Sequence, residues 1–308
     1  MLEAVRALWK PDLIVAIQSV FGPGWDPVFE VFSLLGGSQL VIIAVCWARW
    51  FGGRELTCRL LLATLIGLAT NLLFDAVHPT PRPDDPRIRV ATQIPISSFP
   101  SGHLVTCVSL WGTFAAAGWI SPWLVAVFAV LIALGRLGLG QHYPGDLLGG
   151  VVIGLVILAV VGWVWPHLRA VVLRSTPRQR LMAGGAVAAL ALVGTLFISH
   201  DRWALLGLLG GAALGLPVEE RFVGYEPVAQ PWRTRLLQGV VGFAGVGVCV
   251  GGMAVLDEVK FLSDLVIPTL LVLWILVGAP WVFVRLGWAK QGEERRETMR
   301  LVVGVARR

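Results

Sequence analysis

The stretch FPSGHLVTCVSLWGTFAAAGWI, residues 99–120, decides the fold class. From Leu104 to Ile120 it contains no charged side chain, and an apolar run of about 20 residues can cross a bilayer as a helix. Similar runs recur along the chain, which is 56% hydrophobic and only 14% charged, whereas soluble domains carry about 25% charged residues. We therefore predict an all-α, polytopic transmembrane helical bundle.

The apolar runs predict about nine spans separated by short polar links. Their predicted bounds are 28–50, 56–77, 102–120, 122–139, 145–165, 180–199, 203–217, 237–256 and 262–285. Arginines gather in the links after the first and fifth spans, in the loop 218–236 and in the tail. Because basic residues concentrate in cytoplasmic loops, we expect the loop 78–101 and the turn 139–144 to lie at the outer surface, with the plasma membrane as the location.

Charge and cysteine content narrow the possible partners. The net charge of +6 does not indicate nucleic-acid binding, because the basic residues sit at helix ends and form no single stripe with aromatic residues. Cys46, Cys58, Cys107 and Cys249 lie in apolar segments without the paired spacing of disulfides or zinc sites. The bilayer is thus the predicted partner, and the sequence does not determine an oligomeric state.

Two short polar motifs lie at the two ends of the loop 78–101. The first, HPTPRPDDPRIR, follows the second span and carries Arg82. The second, PSGH, opens the third span with Ser101, Gly102 and His103. The unpaired backbone N–H groups and the dipole at a helix N-terminus attract anions, so this end predicts an anion site.

A third motif, GRLGLGQHYPGDLLGG, carries Arg136 at the end of one span, His142 in the following turn and Asp146 in the next helix. By the span count, all three motifs open on one membrane face. Arginines bind phosphate oxygens bidentately, one histidine can attack phosphorus while another protonates the leaving oxygen, and an aspartate can fix the tautomer of a histidine. This set predicts phosphate chemistry that requires no metal or other cofactor, because the arginines supply the positive charge.

These motifs carry a family resemblance. Arg82-Pro83, PSGH at 100–103 and Arg136-x5-His142-x3-Asp146 resemble the signature motifs of the type-2 phosphatidic acid phosphatase superfamily, which comprises integral-membrane lipid phosphatases related to vanadium haloperoxidases. The resemblance covers about residues 28–165. It implies that His142 is the nucleophile and forms a phosphohistidine, that Asp146 orients it, and that His103 is the general acid. It further implies a phosphate-binding set: Arg82, Arg136, Ser101 and Gly102.

The first motif departs from the family pattern. Asp75 stands where the family has a lysine, seven residues before Arg82, and Gly135 replaces a serine before the third-motif arginine. A carboxylate near an anion site weakens binding unless it is protonated or paired. We hypothesise that Asp75 forms a salt bridge with Arg82 or Arg89 and that Arg87 or Arg89 supplies part of the missing charge. Asp75 and Arg89 therefore count as further candidate site residues.

The chain divides into four predicted parts. We predict an interfacial N-terminal helix at 1–27, a lipid-phosphatase-like catalytic membrane domain at 28–176, a four-span membrane extension at 177–290 and a basic cytoplasmic tail at 291–308. The break follows Ser175-Thr176-Pro177. Small residues in the extension indicate close helix packing, and we assign it no chemistry.

The sequence predicts a phosphatase that removes the terminal phosphate of a lipid phosphate or lipid diphosphate at the outer membrane surface. The candidate substrates are phosphatidic acid, phosphatidylglycerophosphate and a polyprenyl diphosphate. One alternative is a transferase that passes the phosphoryl or head group to an acceptor other than water. A second is a catalytically weakened binding, scaffold or transport protein, which Asp75 favours. A haloperoxidase is disfavoured because those relatives are soluble.

Overall fold

The computed structural model describes residues 8–92, 96–227 and 230–292. Most of these residues are helical. The α-helices in chain order are α1 Asp12–Val20, α2 Asp26–Leu34, α3 Ser38–Trp47, α4 Arg54–Val77, α5 Gly102–Thr106, α6 Gly112–Ala116, α7 Pro122–Gly138, α8 Pro144–Arg174, α9 Pro177–Gly194, α10 Trp203–Phe222, α11 Trp232–Val255, α12 Ile267–Leu273 and α13 Ala279–Arg285.

Short non-α turns connect several of these helices. The 3₁₀ turns are Pro23–Trp25 and His200–Arg202, and the π-helical turns are Ala48–Gly52, Cys107–Trp111, Phe261–Val266 and Trp274–Gly278. The π turn between α5 and α6 keeps one continuous helical run from the PSGH motif inward. Within the described residues the strands are β1, Tyr225–Glu226, and β2, Lys290–Gln291, which pair in an antiparallel ribbon.

Within the described part of the chain, five helical segments are long and apolar enough to cross a membrane: Pro23–Gly52, Arg54–Val77, Pro144–Arg174, Trp232–Val255 and Phe261–Arg285. Helix α7 is apolar but shorter. The polytopic all-α prediction is confirmed, while the number of nine crossings stays a prediction.

The helix that contains the predicted fifth span, 145–165, is longer than that span. Helix α8 continues through Pro166 to Arg174. One internal proline removes a single backbone hydrogen bond, and neighbouring turns in a membrane helix can hold the remainder in place.

The chain forms two compact units. The first comprises Met1–Ala44 and Cys58–Pro166, and the second comprises Val45–Thr57 and His167–Arg308. All three polar motifs belong to the first unit. Its main apolar core joins α1, the motif loop and α5, α7 and α8 through Ile14, Ile88, Leu104, Ile132, Leu137 and Leu147.

Helix α1 fixes two of the motif segments to each other. The side-chain amide of Gln18 donates to the carbonyl oxygens of Arg89 at 2.8 Å and Gly138 at 2.9 Å. Its oxygen accepts from the backbone N–H of Arg89 at 2.9 Å. The first-motif loop and the end of α7 are therefore tied together on one side of the unit.

The loop after α4 folds back on itself through Thr80. The backbone N–H of Ser98 donates to the Thr80 carbonyl at 3.0 Å, and the N–H of Phe99 donates to the Thr80 hydroxyl at 2.7 Å. The Thr80 and Ser97 hydroxyls lie 3.0 Å apart. These bonds set the position of residues 97–99, which lead directly into the PSGH motif.

The second unit contains a buried ion pair. Arg49 and Glu219 lie 2.8 Å apart, with 1% and 3% of their side chains exposed. The guanidinium also lies 4.8 Å from the centre of the Tyr225 ring, and the Tyr225 N–H donates to Glu219 at 2.7 Å. A buried charge is tolerated when it is paired and hydrogen-bonded, so this cluster joins α10 to the ribbon and the turn after α3.

Candidate active site

A tight turn between α7 and α8 presents His142. Gly140 has φ of +68°, and a Cβ at this position would lie 2.5 Å from the Arg89 carbonyl oxygen. Only glycine fits both the left-handed backbone and the close approach. The backbone N–H of Gln141 then donates to the Arg136 carbonyl at 3.0 Å. His142 follows with 2% of its surface exposed.

The Nδ1 side of His142 faces a serine and a carboxylate. Its Nδ1 lies 3.4 Å from the Ser98 Oγ and 3.7 Å from the Asp146 Oδ2. Asp146 Oδ2 accepts the Ser98 hydroxyl at 2.5 Å and the Tyr143 N–H at 2.8 Å. Asp146 thus lies on the Nδ1 side of His142, as predicted. The Ser98 Oγ is at hydrogen-bond distance from both residues.

The Nε2 side of His142 faces two arginines. One guanidinium nitrogen each of Arg82 and Arg136 lies 3.4 Å from Nε2. Arg82 is held by backbone carbonyls, since it donates to Gln141 at 2.8 Å, to Ile96 at 3.1 Å and to Ser97 at 3.3 Å. The two cations and the ring nitrogen therefore converge on one point.

The start of α5 lies at the same place. The Ser101 N–H donates to the Asp146 carbonyl at 3.0 Å, which ties the PSGH motif to α8. Ser101 is fully buried, and among the described residues neither its Oγ nor the Nε of buried Arg136 has a hydrogen-bond partner. Buried donors without partners are costly, and an anion at this point would satisfy both.

His103 is half-buried on the first turn of α5. It lies close enough to Arg136, His142 and Arg82 to interact with all three electrostatically. Gly102, beside it, packs against Asn71, whose amide nitrogen would lie 3.3 Å from a Cβ at that glycine. The structure thus brings together all seven residues of the predicted catalytic and phosphate-binding set.

The electrostatics favour a neutral His142. Burial lowers the pKa of its imidazole to about 4, the charges of Arg136 and Arg82 act in the same direction, and Asp146 opposes them. Burial also lowers the pKa of Arg82, but a guanidinium stays charged at any relevant pH. A neutral imidazole with both cations next to Nε2 is poised to attack an electrophile there.

Asp75 and Arg89 do not make the hypothesised contacts. Asp75 accepts the backbone N–H of Ser97 at 2.8 Å, and the described residues contain no salt bridge from it to Arg82 or Arg89. Arg89 pairs with Asp26 at 2.7 Å. The hypothesis of an Asp75–arginine salt bridge is therefore wrong, because a closer backbone donor takes the carboxylate.

The proposed substitute cations are also engaged elsewhere. Arg87 pairs with Asp85 at 2.9 Å and with Asp12 at 3.6 Å, and Arg89 is held by Asp26. Neither replaces the lysine of the family motif. The cations that converge on His142 within the described residues are Arg82 and Arg136.

Sequence reasoning missed Ser98. Its position five residues before His103 in the stretch SFPSGH was the available signal, but a loop serine is usually solvated. Only the fold of the loop on Thr80 shows that Ser98 is buried and directed at Asp146 and His142.

The set can bind a phosphate group and transfer it. Guanidiniums and backbone N–H groups neutralise the oxygens, Nε2 can attack phosphorus, and His103 can deliver a proton to the departing oxygen. Within the described residues, no group of three or more His, Cys, Asp or Glu side chains could hold a metal ion.

Comparison with known proteins agrees with this geometry. A family model described as the PAP2 superfamily matches residues 56–169, which include every candidate site residue. A second, the PAP2 superfamily phosphatase transmembrane extension, matches residues 203–291. The family likeness thus reaches the back spans, where the motifs alone had indicated none.

One curated relative is undecaprenyl-diphosphatase BcrC of Bacillus subtilis (strain 168). It is 30% identical over 124 residues, which make up 38% of this chain and 62% of that protein. The chain therefore spans less than two thirds of this relative's length. No solved structure matches the chain. With the three motifs gathered around His142 and both family models matching, the chain belongs to the PAP2 superfamily of integral-membrane phosphatases.

Proposed function

We propose that this protein removes the terminal phosphate of a lipid diphosphate at the outer surface of the plasma membrane, through a phosphohistidine on His142. The observation that carries the proposal is the environment of that ring. Its Nε2 faces Arg82 and Arg136 at 3.4 Å each, while its Nδ1 faces the Ser98 hydroxyl and the Asp146 carboxylate.

In the first step, Nε2 of His142 forms a bond to the terminal phosphorus and the bond from phosphorus to the bridging oxygen breaks. Arg82 and Arg136 neutralise the equatorial oxygens, where charge spreads in the transition state. His103 gives a proton to the leaving lipid phosphate, and the negative charge of the bound diphosphate favours its protonated form. In the second step, water attacks phosphorus and gives a proton to His103, which became neutral in the first step, while the P–N bond breaks and inorganic phosphate leaves.

A polyprenyl diphosphate is the substrate class we favour over phosphatidic acid and phosphatidylglycerophosphate. The name of the relative, undecaprenyl-diphosphatase, supports this choice. The leaving group supports it as well: a lipid monophosphate is a more stable anion than an alkoxide and needs less help from the acid. The apolar tail would lie among the membrane helices while the head group reaches the arginines.

Phosphate release tests the proposal. Detergent-purified protein is given a polyprenyl diphosphate, phosphatidic acid or phosphatidylglycerophosphate, each with a chelator, and wild type is compared with His142→Ala and with Arg136→Lys. We expect metal-independent release, fastest from the diphosphate, and its loss in His142→Ala. Arg136→Lys keeps the charge but loses the bidentate fork, so we expect a drop of about 10- to 100-fold there.

The other outcomes decide between the alternatives. Disappearance of substrate without free phosphate, but with a labelled acceptor, would show a transferase. No conversion of any substrate would support a binding or transport role, and release that persists in His142→Ala would remove the nucleophile from the mechanism.

A further inference from the structure

The hydrogens around His142 can be assigned from the partners alone. An ionised Asp146 only accepts, so the short contact from the Ser98 Oγ to its Oδ2 carries the serine proton. The Ser98 oxygen then offers a lone pair toward Nδ1, 3.4 Å away. Nδ1 must therefore carry a proton for the contact to be favourable.

The opposite side of the ring leads to the same assignment. Arg82 and Arg136 have only donors, and both lie 3.4 Å from Nε2. A proton on Nε2 would point at two cations. Both sides therefore favour the tautomer with the proton on Nδ1 and a free lone pair on Nε2.

The Ser98 hydroxyl is held where this assignment needs it. The residue is fully buried, and its own N–H is bound to the Thr80 carbonyl at 3.0 Å. Asp146 Oδ2 lies farther from Nδ1, at 3.7 Å. The serine oxygen, at 3.4 Å, is thus the nearer acceptor for a proton on Nδ1.

We propose that Ser98 is a positioning residue that links Asp146 to His142 and holds the nucleophile in its Nδ1–H tautomer. When Nε2 bonds to phosphorus, the ring becomes positively charged; Nδ1–H then donates to the Ser98 Oγ, whose own proton stays directed at Asp146. No proton changes owner along this chain. The expected fall in kcat rests on the proposed function, whereas the tautomer of the substrate-free protein does not.

The first measurement is nitrogen-15 NMR of protein labelled only at histidine, without substrate, near pH 7. The chain has five histidines, and the His142 signals are identified by their absence in His142→Ala. Protonated and free imidazole nitrogens have well-separated shifts, so the tautomer is read directly. The variants are Ser98→Ala, Ser98→Thr, which keeps the hydroxyl, and Ser109→Ala as a control.

Ser109 is a matched control because it is also a buried serine of the first unit, with 2% exposure, and bonds only backbone carbonyls, chiefly that of Val105 at 2.8 Å. We expect the Nδ1–H tautomer in wild type, Ser98→Thr and Ser109→Ala. In folded Ser98→Ala we expect a changed Nδ1 shift, because the hydrogen bond to the serine is lost while Arg82 and Arg136 still disfavour a proton on Nε2. A wild-type His142 protonated on Nε2 would overturn the proposal even if Ser98→Ala failed to fold. Unchanged shifts in folded Ser98→Ala would overturn it as well.

Kinetics give the second readout. Loss of the partner that orients a metal-bound histidine typically costs about 10- to 100-fold in activity. By analogy, kcat should fall by that factor in Ser98→Ala with little change in KM. A rise in KM with unchanged kcat would contradict a positioning role. If wild type hydrolyses none of the substrates, the proposed function fails, but the NMR result still decides the role of Ser98.

Discussion

At the scale of single residues, burial and two guanidiniums set the state of His142. A neutral ring is the form that can attack phosphorus, and burial between Arg82 and Arg136 removes the proton that a solvated histidine takes up near pH 6.5. The two cations proposed to bind phosphate thus also disfavour protonation of the proposed nucleophile.

A pH titration follows from this environment. The pKa of His142 is lowered to about 4, so the ring stays neutral as the pH falls from 7 to about 5 and takes up a proton only below that. Nitrogen-15 shifts of His142 in substrate-free protein, assigned with His142→Ala, report this directly. Protonation with a midpoint near pH 6.5 would contradict the buried, cation-flanked site.

The residue types of the candidate site could be predicted from their spacing, but the residues that surround them could not. The pattern Arg136-x5-His142-x3-Asp146 reflects a short turn between helices and needs no tertiary information. The contact between Ser98 and Asp146 spans 48 residues and depends on how a proline-rich loop folds over Thr80. Sequence alone offers no physical rule for that fold.

At the scale of structural elements, Asp75 stabilises the loop that follows α4. The carboxylate holds the Ser97 N–H at the end of the segment that positions Ser98, and the lysine expected from the family would have pointed a cation at phosphate instead. Asp75 therefore holds the loop here, and among the described residues the cations beside His142 are Arg82 and Arg136.

Replacements of Asp75 test this role. Asp75→Asn keeps an oxygen that can accept from Ser97, so we expect activity within about threefold of wild type. Asp75→Lys has no acceptor, and because a hydrogen bond to a charged group contributes about 1.5–3 kcal/mol, it should lose at least about tenfold. Both are measured as kcat/KM for phosphate release. A gain in activity with lysine would show that the carboxylate merely weakens the anion site.

The turn between α7 and α8 makes a second prediction. Gly140→Ala places a Cβ 2.5 Å from the Arg89 carbonyl oxygen at a left-handed φ of +68°, so the turn must shift and carry His142 with it. A displacement of about 1 Å can cost about 100-fold in rate. Gly162→Ala in α8, where nothing lies within 4 Å, is the control with little expected effect. Equal activities of the two variants would refute the argument.

At the scale of the whole molecule, the positions of the helices could be predicted from the sequence better than the two compact units. The apolar runs lie close to the observed helices because bilayer thickness fixes their length. The units could not be predicted, since residues 45–57 belong with the back part of the chain. The pairing of Arg49 with Glu219, 170 positions later in sequence, is one of the contacts that join this segment to the back part.

The buried pair predicts the stability of the second unit. In Glu219→Gln the Arg49 charge loses its carboxylate partner, and breaking a buried pair costs about 3–5 kcal/mol. We expect a clearly lower melting temperature in detergent. Asp257→Asn removes an exposed partner of Lys260, with side chains 65% and 43% exposed, and should change the melting temperature little. Similar changes in melting temperature for both variants would show that the buried pair contributes no more to stability than the exposed pair.

The central claim is a covalent phosphohistidine at His142, and trapping it is the most direct measurement. A polyprenyl diphosphate labelled with phosphorus-32 in its terminal phosphate is mixed with protein and quenched within milliseconds in base, where phosphohistidine survives. We predict protein-bound, acid-labile label in wild type and none in His142→Ala. Two results would contradict a phosphohistidine at His142. One is bound label that persists in His142→Ala, and the other is phosphate release by wild type at full rate without any bound label.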